Sequence, residues 1–383
     1  MELTPKQQIV ELAKGANNIL IVTHDRPDGD GLGSALGLKL ALTKLNKSVT
    51  IAAANPEHQL HHFLPGITEI QSQISAHKDL IISIDTEQTP VKKVMYQKSP
   101  DNQLNIIVTP DQNITIDASR LTFSTGQYAW DLIIALDCAD IERIGDVYTQ
   151  NPDMFFDVPV VNIDHHPGND HWGRVNLVDM TATSTSEILV SVIESLGREQ
   201  NLLDEDTATC LLCGIISDTN SFQNNNTTPK SFTVAAQLIA AGARQQEIIH
   251  NLFRTKSLST LKLWGTILAN VQEEADFVWS YATATEIADA GAAPEQTSGI
   301  IDELLKTTTG SSFALMLSER DGGVHGSLRA INKTVDVSVI ANLFGGGGHA
   351  AAAAFDIPNT TLADSQALVI DKVKQLQADR SGK

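Results

Sequence analysis

The run His24-Asp25-Arg26-Pro27-Asp28-Gly29-Asp30 sets an imidazole and two carboxylates at i, i+4 and i+6 in a short stretch rich in proline and glycine. Such a set suits hard or borderline divalent ions, Mn²⁺ or Mg²⁺ above all, which take oxygen and imidazole ligands. The same residue types return at Asp137, at Asp164-His165-His166, and at Asp218 after Gly214-Ile215-Ile216-Ser217. A mixed His/Asp set without thiolates favours Mn, Mg or Co over a structural zinc site. Each piece has an ordinary alternative. An aspartate after a strand is often a helix N-cap, and histidines such as His58, His61 and His62 serve as surface or packing residues. What distinguishes the set is that its members follow apolar runs, one after another.

Those runs are the elements that must position the ligands. Asn18 to Thr23, Trp130 to Leu136 and Val158 to Ile163 are short and apolar, as buried parallel strands are. Ser48 to Ala53 reads as a further strand. Helical spacing covers Pro5 to Ala16, Ser34 to Leu45, Thr183 to Leu196 and Asp204 to Ile216, with a polar loop at His24 to Gly33. The alternation predicts an α/β fold with a doubly wound, mostly parallel sheet in an N-terminal domain. In such sheets ligands bind beyond the carboxyl ends of the strands.

Residues of about 86 to 126 carry short alternating runs, LNIIV and NITID, and read as a β-hairpin insertion. From Ser231 to about Val271 the pattern is helical. A smaller α/β C-terminal domain then follows, with strands FVWSYAT, SFALML and GVHGSLRAI, a helix in SGIIDELLKT and another from Val337 to Phe344. Four glycines, Gly345 to Gly348, follow that helix. Asp356 to Lys383 reads as a helix with a frayed end. The expected organisation is a catalytic domain at 1–240, a helical linker at 241–272 and a substrate-binding domain at 273–383, with the active site in the interdomain cleft.

Lys and Arg number 27 against 46 Asp and Glu, a net charge of −19. That argues against gripping long duplex nucleic acid through a basic surface. A small phosphate substrate is still compatible, because bound cations supply positive charge locally. Three cysteines, Cys138, Cys210 and Cys213, make no disulfide scaffold and point to a reducing cytoplasm. No signal peptide and no apolar stretch of membrane-spanning length is evident. A homodimer stays open.

The runs T-H-D-R-P-D-G-D-G-L-G-S, L-D-C-A-D, D-H-H and G-I-I-S-D-T-N-S-F resemble, in order, the four motifs of the DHH phosphoesterase superfamily. V-H-G-S-L-R-A and F-G-G-G-G-H-A-A-A-A-A-F resemble its C-terminal DHH-associated domain. The resemblance covers nearly the whole chain except the insertion. It implies that His24, Asp28 and Asp137 hold one metal, and that Asp30, Asp137, His165 and Asp218 hold a second, with Asp137 shared. It further implies that His166 faces the substrate phosphate and that Asp164 orients His165. Two Mn²⁺ ions, or Mg²⁺ or Co²⁺ in their place, would activate a water for attack on phosphorus.

Ser327, Arg329 and Gly346-Gly347-Gly348-His349 would bind substrate. Arginine forks onto phosphate, and glycine lets backbone N–H groups come close. The pattern departs from the family at Asn220 and Gln223, where relatives often carry glycine and arginine, and at Ala354. The function implied is hydrolysis of short oligoribonucleotides or of 3′-phosphoadenosine 5′-phosphate, as in the nanoRNase-type phosphatases. The alternative is a cyclic-dinucleotide (c-di-AMP) phosphodiesterase. An inactive nucleotide sensor would have a broken ligand set, and this set is whole.

Overall fold

In Asn18–Val22 (β1) every residue after the exposed Asn18 is apolar, because the strand is covered from both sides. Ile19 and Ile21 enter one core with Leu36, Leu189 and Leu211. Leu20 and Val22, pointing the other way, enter a second core with Ile133, Ala135 and Phe155. The computed structural model describes residues 3–381 apart from 57–60, 88, 112–115, 198–199, 298, 321 and 333. It divides into two units, Met1–Arg254 and Thr255–Lys383.

In the first unit β1 is followed by β2 (Ser48–Ala52), β3 (Leu80–Ser83), β4 (Val91–Lys98), β5 (Leu104–Pro110), β6 (Thr122–Thr125), β7 (Leu132–Leu136), β8 (Val160–Asp164) and β9 (Val175–Val178). Five of these form a wholly parallel sheet in the order β2-β1-β7-β8-β9. The chain leaves β1 toward β2 and returns on its other side as β7. The topological switch point therefore lies between β1 and β7, where doubly wound sheets bind ligands. The α/β class expected from the alternation is what the chain forms, with β9 an additional strand.

The helices are α1 (Pro5–Gly15), α2 (Gly29–Lys44), α3 (Asp146–Thr149), α4 (Pro152–Asp157), α5 (Thr185–Leu196), α6 (Glu205–Asp218), α7 (Pro229–Ala240) and α8 (Gln245–Phe253). Helix α2 begins five residues earlier than periodicity suggests. Asp28 caps it, its Oδ1 accepting from the Asp30 and Gly31 amides at 2.9 and 3.1 Å. The glycines that read as loop belong to a packed helix face. A Cβ at Gly33 would collide with the Cys210 carbonyl of α6. Helix α6, expected from Asp204 onward, ends at Asp218.

The insertion is two small antiparallel pairs, β3 with β6 and β4 with β5. The expected LNIIV run is β5, and its partner is β4. Most of the NITID run lies outside the described residues.

The stretch expected as a linker is divided between the units. Ile248 of α8 packs in the first unit's core. Leu263 and Ile267 of α9 (Leu258–Ala269) pack in the second.

The second unit continues with β10 (Gln272–Glu273), β11 (Phe277–Ala282), α10 (Ala284–Asp289), α11 (Ile300–Glu303), β12 (Phe313–Arg320), β13 (Gly323–Ala330), α12 (Ser338–Asn342), β14 (Gly347–His349), β15 (Ala352–Pro358) and α13 (Leu362–Ser381). Its sheet order is β10-β11-β12-β13-β15-β14. The helix expected from Asp356 begins at Leu362, after strand β15. Ala353 and Phe355 alternate inward from β15, and the Phe355 ring lies where a side chain at Gly326 would be. Among the described residues no helix is long and apolar enough to cross a membrane.

Candidate metal centre

The strand register carries the candidate ligands to one edge. Val22 is level with Ala135 and Leu136 with Ile163, so His24, Asp137 and the Asp164-His165-His166 run all lie at the carboxyl ends. Asp137 has a left-handed backbone, φ 60°. That conformation costs a non-glycine residue on the order of 1–2 kcal/mol. Strain of this kind concentrates where a side chain must be aimed, and Asp137 is the side chain around which the others gather.

His24 Nε2 lies 3.6 Å from Asp137 Oδ2 and 4.0 Å from Asp28 Oδ1. Its Nδ1 is 2.8 Å from the Asp25 carbonyl oxygen. That contact protonates Nδ1 and leaves the Nε2 lone pair for a cation. His165 Nε2 sits 3.5 Å from Asp137 Oδ1 and 3.2 Å from Asp218 Oδ2. Asp30 is fully buried. Its carboxylate accepts the Thr185 and Ser186 amides at 2.6 and 3.0 Å, at the amino end of α5, where the helix dipole favours an anion. Thr185 Oγ1 donates to Asp137 Oδ1 at 3.0 Å.

Ligand atoms converge in three overlapping groups. These are His24, Asp28 and Asp137; Asp30, His165 and Asp218; and Asp137, Asp164, His165 and His166, with the atoms in each group within 4.8 Å of one another. The donor set fits divalent cations: it is all nitrogen and oxygen. His165 Nε2 is buried and faces the Asp218 and Asp137 carboxylates, at 3.2 and 3.5 Å, without a well-aligned hydrogen bond to either. Buried carboxylates gathered this closely require compensating positive charge.

The protonation equilibria reflect the crowding. Burial opposes ionisation of Asp137, yet the His165 and His24 imidazoles hold it below the usual carboxylate range. Burial, then Asp137 and Asp218, pushes Asp30 up. Burial raises Asp218 to about 6, with Asp28 and Asp137 adding to the shift against the opposing hydrogen bond from His165. Burial would lower His165, but Asp137 and Asp218 push it up to about 11.

Asp164 acts differently from its expected role. Its Oδ1 accepts the His165 backbone amide and meets His166 Nδ1, both at 2.8 Å, and its Oδ2 accepts from Asn169 at 2.7 Å. It therefore orients the His166 ring rather than that of His165, whose imidazole turns toward Asp137 and Asp218. The Asp164 hydrogen bond raises His166.

Sequence reasoning missed Thr185, Ser186, Asn162 and Asn169. Asn162 and Asn169 both donate to the Cys138 carbonyl, at 2.8 and 3.1 Å, and bond to each other at 3.0 Å. This fixes the turn that follows Asp137. The Ser184-Thr185-Ser186 run ahead of an apolar helix was the available signal. The three cysteines are buried free thiols, and burial raises all three.

In the second unit Arg329 is half-buried, and its Nε donates to both oxygens of Asp302, at 2.9 and 3.1 Å. Ser327 Oγ is 3.2 Å from His325 Nε2, and His325 Nδ1 is 2.7 Å from Asp356 Oδ1. His325 and Asp356 were not anticipated. Gly347, Gly348 and His349 form edge strand β14 against Ala354, Ala353 and Ala352. A Cβ at Gly346 would strike the Ala354 carbonyl, and Gly348 has φ 140°. These two glycines are thus demanded by the packing of β14 on β15.

Residues 18–215 match the model of the DHH family, N-terminal domain, and 279–379 that of the DHHA1 domain. The chain belongs to the DHH family. A relative from Thermus thermophilus, the bifunctional oligoribonuclease and PAP phosphatase NrnA, is 29% identical over 369 residues, 96% of this chain and 93% of its own. The Bacillus subtilis protein of that name is 25% identical over 307 residues, 78% of this chain and 95% of its own. The cyclic-di-AMP phosphodiesterase GdpP of Geobacillus thermodenitrificans is 24% identical and covers 93% of this chain with 47% of its own length. In fold, an exopolyphosphatase-related protein from Bacteroides fragilis superposes with TM-score 0.72 at 20% identity, over 97% of each chain.

Proposed function

We propose that this DHH phosphoesterase hydrolyses short oligoribonucleotides and 3′-phosphoadenosine 5′-phosphate with the aid of two divalent cations, Mn²⁺ first among them. The observation that carries the reading is the shared position of Asp137. It stands between one group with His24 and Asp28 and the contacts with His165, which in turn meets Asp218. His24, Asp28 and Asp137 would hold one ion, and Asp30, Asp137, His165 and Asp218 the other. Bound there, the ions would lower the pKa of water and neutralise charge growing on the phosphoryl oxygens.

The chain's own residues do the rest. Asp164 holds the half-exposed His166 ring by Nδ1, leaving Nε2 to meet a phosphate oxygen. Ser327, Arg329 and the Gly346-Gly347-Gly348-His349 run would bind substrate, Arg329 with its plane set by Asp302. The names of the NrnA relatives support the linear substrates. The cyclic-di-AMP phosphodiesterases aligned across most of this chain support a second reading, hydrolysis of a cyclic dinucleotide.

Turnover of di-adenylate RNA, five-nucleotide RNA, 3′-phosphoadenosine 5′-phosphate and cyclic di-AMP, with and without Mn²⁺, tests both readings. Preference for the linear nucleotides is expected. Preference for cyclic di-AMP transfers the enzyme to the second reading, and no metal-dependent turnover contradicts both.

A further inference from the structure

Between β2 and β7 the chain makes a detour whose side chains break the burial rule followed by the parallel sheet. In the β4–β5 hairpin Val94 stands opposite Val108, Tyr96 opposite Ile106 and Lys98 opposite Leu104. Directly opposed residues share a face, so Val94, Tyr96, Leu104 and Ile106 make one apolar stripe. That stripe is open to water: Tyr96 is 81% exposed and Leu104 64%. Contiguous apolar surface is uncommon on soluble chains unless something covers it. Each hairpin strand is paired on one side only, and open strand edges invite association.

The hairpin is also opposite in charge to the rest of the molecule. Residues 91–110 hold Lys92, Lys93 and Lys98 against Asp101, a net +2 in a chain of net −19. Its stem joins the body at the edge away from the candidate metal centre. Lys78 Nζ is 2.6 Å from Asp157 Oδ2, and the Ala76 amide donates to Asn151 Oδ1 at 3.3 Å. Asn151 and Asp157 precede β8, whereas Asp164 ends it. The surface beside the stem is acidic. Residues 150–157 carry Asp153 and Asp157 and no lysine or arginine. In its midst Phe156 of α4 is 91% exposed, so the chain's own hairpin leaves it uncovered.

We propose that the 91–110 hairpin is a self-association arm. The apolar stripe of one copy covers Phe156 of a second copy, its lysines meet Asp153 on the same helix, and the exchange is reciprocal about a two-fold axis. Reciprocity closes the assembly at a dimer. Charge complementarity selects the occupant, since basic arm and acidic face both belong to this chain. Single-stranded RNA fits less well. Of the stripe only Tyr96 offers a ring for base stacking, and the acidic body repels a polyanion. The proposal does not depend on the phosphoesterase reading.

Sedimentation velocity on the full chain, across the micromolar range, tests it. The wild type should be a dimer. Tyr96→Asp with Ile106→Asp should weaken association at least about tenfold. Asp153→Lys should weaken it too, and adding Lys92→Glu with Lys93→Glu should restore it. An unchanged circular dichroism spectrum of each variant would show that the fold is intact, since all five positions lie at the surface. A wild type that stays monomeric at every concentration, or a dimer indifferent to both the apolar and the charge substitutions, would overturn the proposal. So would a monomer whose binding to single-stranded RNA is lost with Tyr96→Asp, which would give the arm to RNA.

Discussion

The carboxyl edge of the parallel sheet and the polar face of the C-terminal sheet hold their functional side chains in different ways. At the first, every candidate ligand sits where a regular element begins or ends. Asp28 caps α2, Asp30 lies in its first turn, Asp137 and His165 follow strands, and Asp218 closes α6. The backbone leaves these residues little freedom, and their side chains converge on one another. On the second, Ser327 and Arg329 stand along the face of β13 and are already engaged, by His325 with Asp356 and by Asp302. Element ends converge on a cation site, whereas strand faces offer polar groups whose partners depend on neighbouring strands.

The difference sets the sizes of the expected effects. Asp137→Ala should remove the shared carboxylate and lower kcat by at least about a thousandfold, while elemental analysis shows reduced bound Mn²⁺. Retained wild-type turnover would mean the centre is elsewhere. Gly214→Ala should come next. A Cβ there would collide with the Asp30 carboxylate and the Ser186 hydroxyl, and such overpacking costs about 1–3 kcal/mol. A lowered Tm with weakened Mn²⁺ binding is expected, and an unchanged Tm with full metal content would show the crowding to be relieved.

Arg329→Ala should raise KM about tenfold, the worth of about 1.4 kcal/mol, with bound metal unchanged. Loss of metal instead would erase the distinction between the two regions. Asp302→Asn and His325→Ala should act in the same direction by less, because they only orient Arg329 and Ser327.

Protons and cations compete at the first region. Asp218 is raised to about 6 and His165 to about 11, and ligands must lose their protons to bind a metal. The apparent Mn²⁺ affinity should therefore rise with pH, by up to about tenfold per unit for each proton released. Calorimetric titration in buffers of different ionisation enthalpy would count those protons. An affinity independent of pH would argue against this set as the ligands.

The same contrast explains what was legible in the sequence. Short apolar runs ending in Asp or His announced β1, β7 and β8 and the residues beyond them, because burial on both faces leaves a continuous apolar signature. Where glycine served packing rather than turning, the pattern misled: Gly29, Gly31 and Gly33 sit in a helix. The Ala352–Pro358 strand was obscured because small side chains carry little alternation. The role of Asp164 turned on which way two adjacent imidazoles point, and spacing alone does not encode that.

The most direct test of the account is anomalous scattering from crystals of this chain soaked in Mn²⁺. Two peaks are expected within about 4 Å of each other, with Asp137 touching both, His24 and Asp28 on one, and Asp30, His165 and Asp218 on the other. A single peak, or a pair that Asp137 does not bridge, would contradict it.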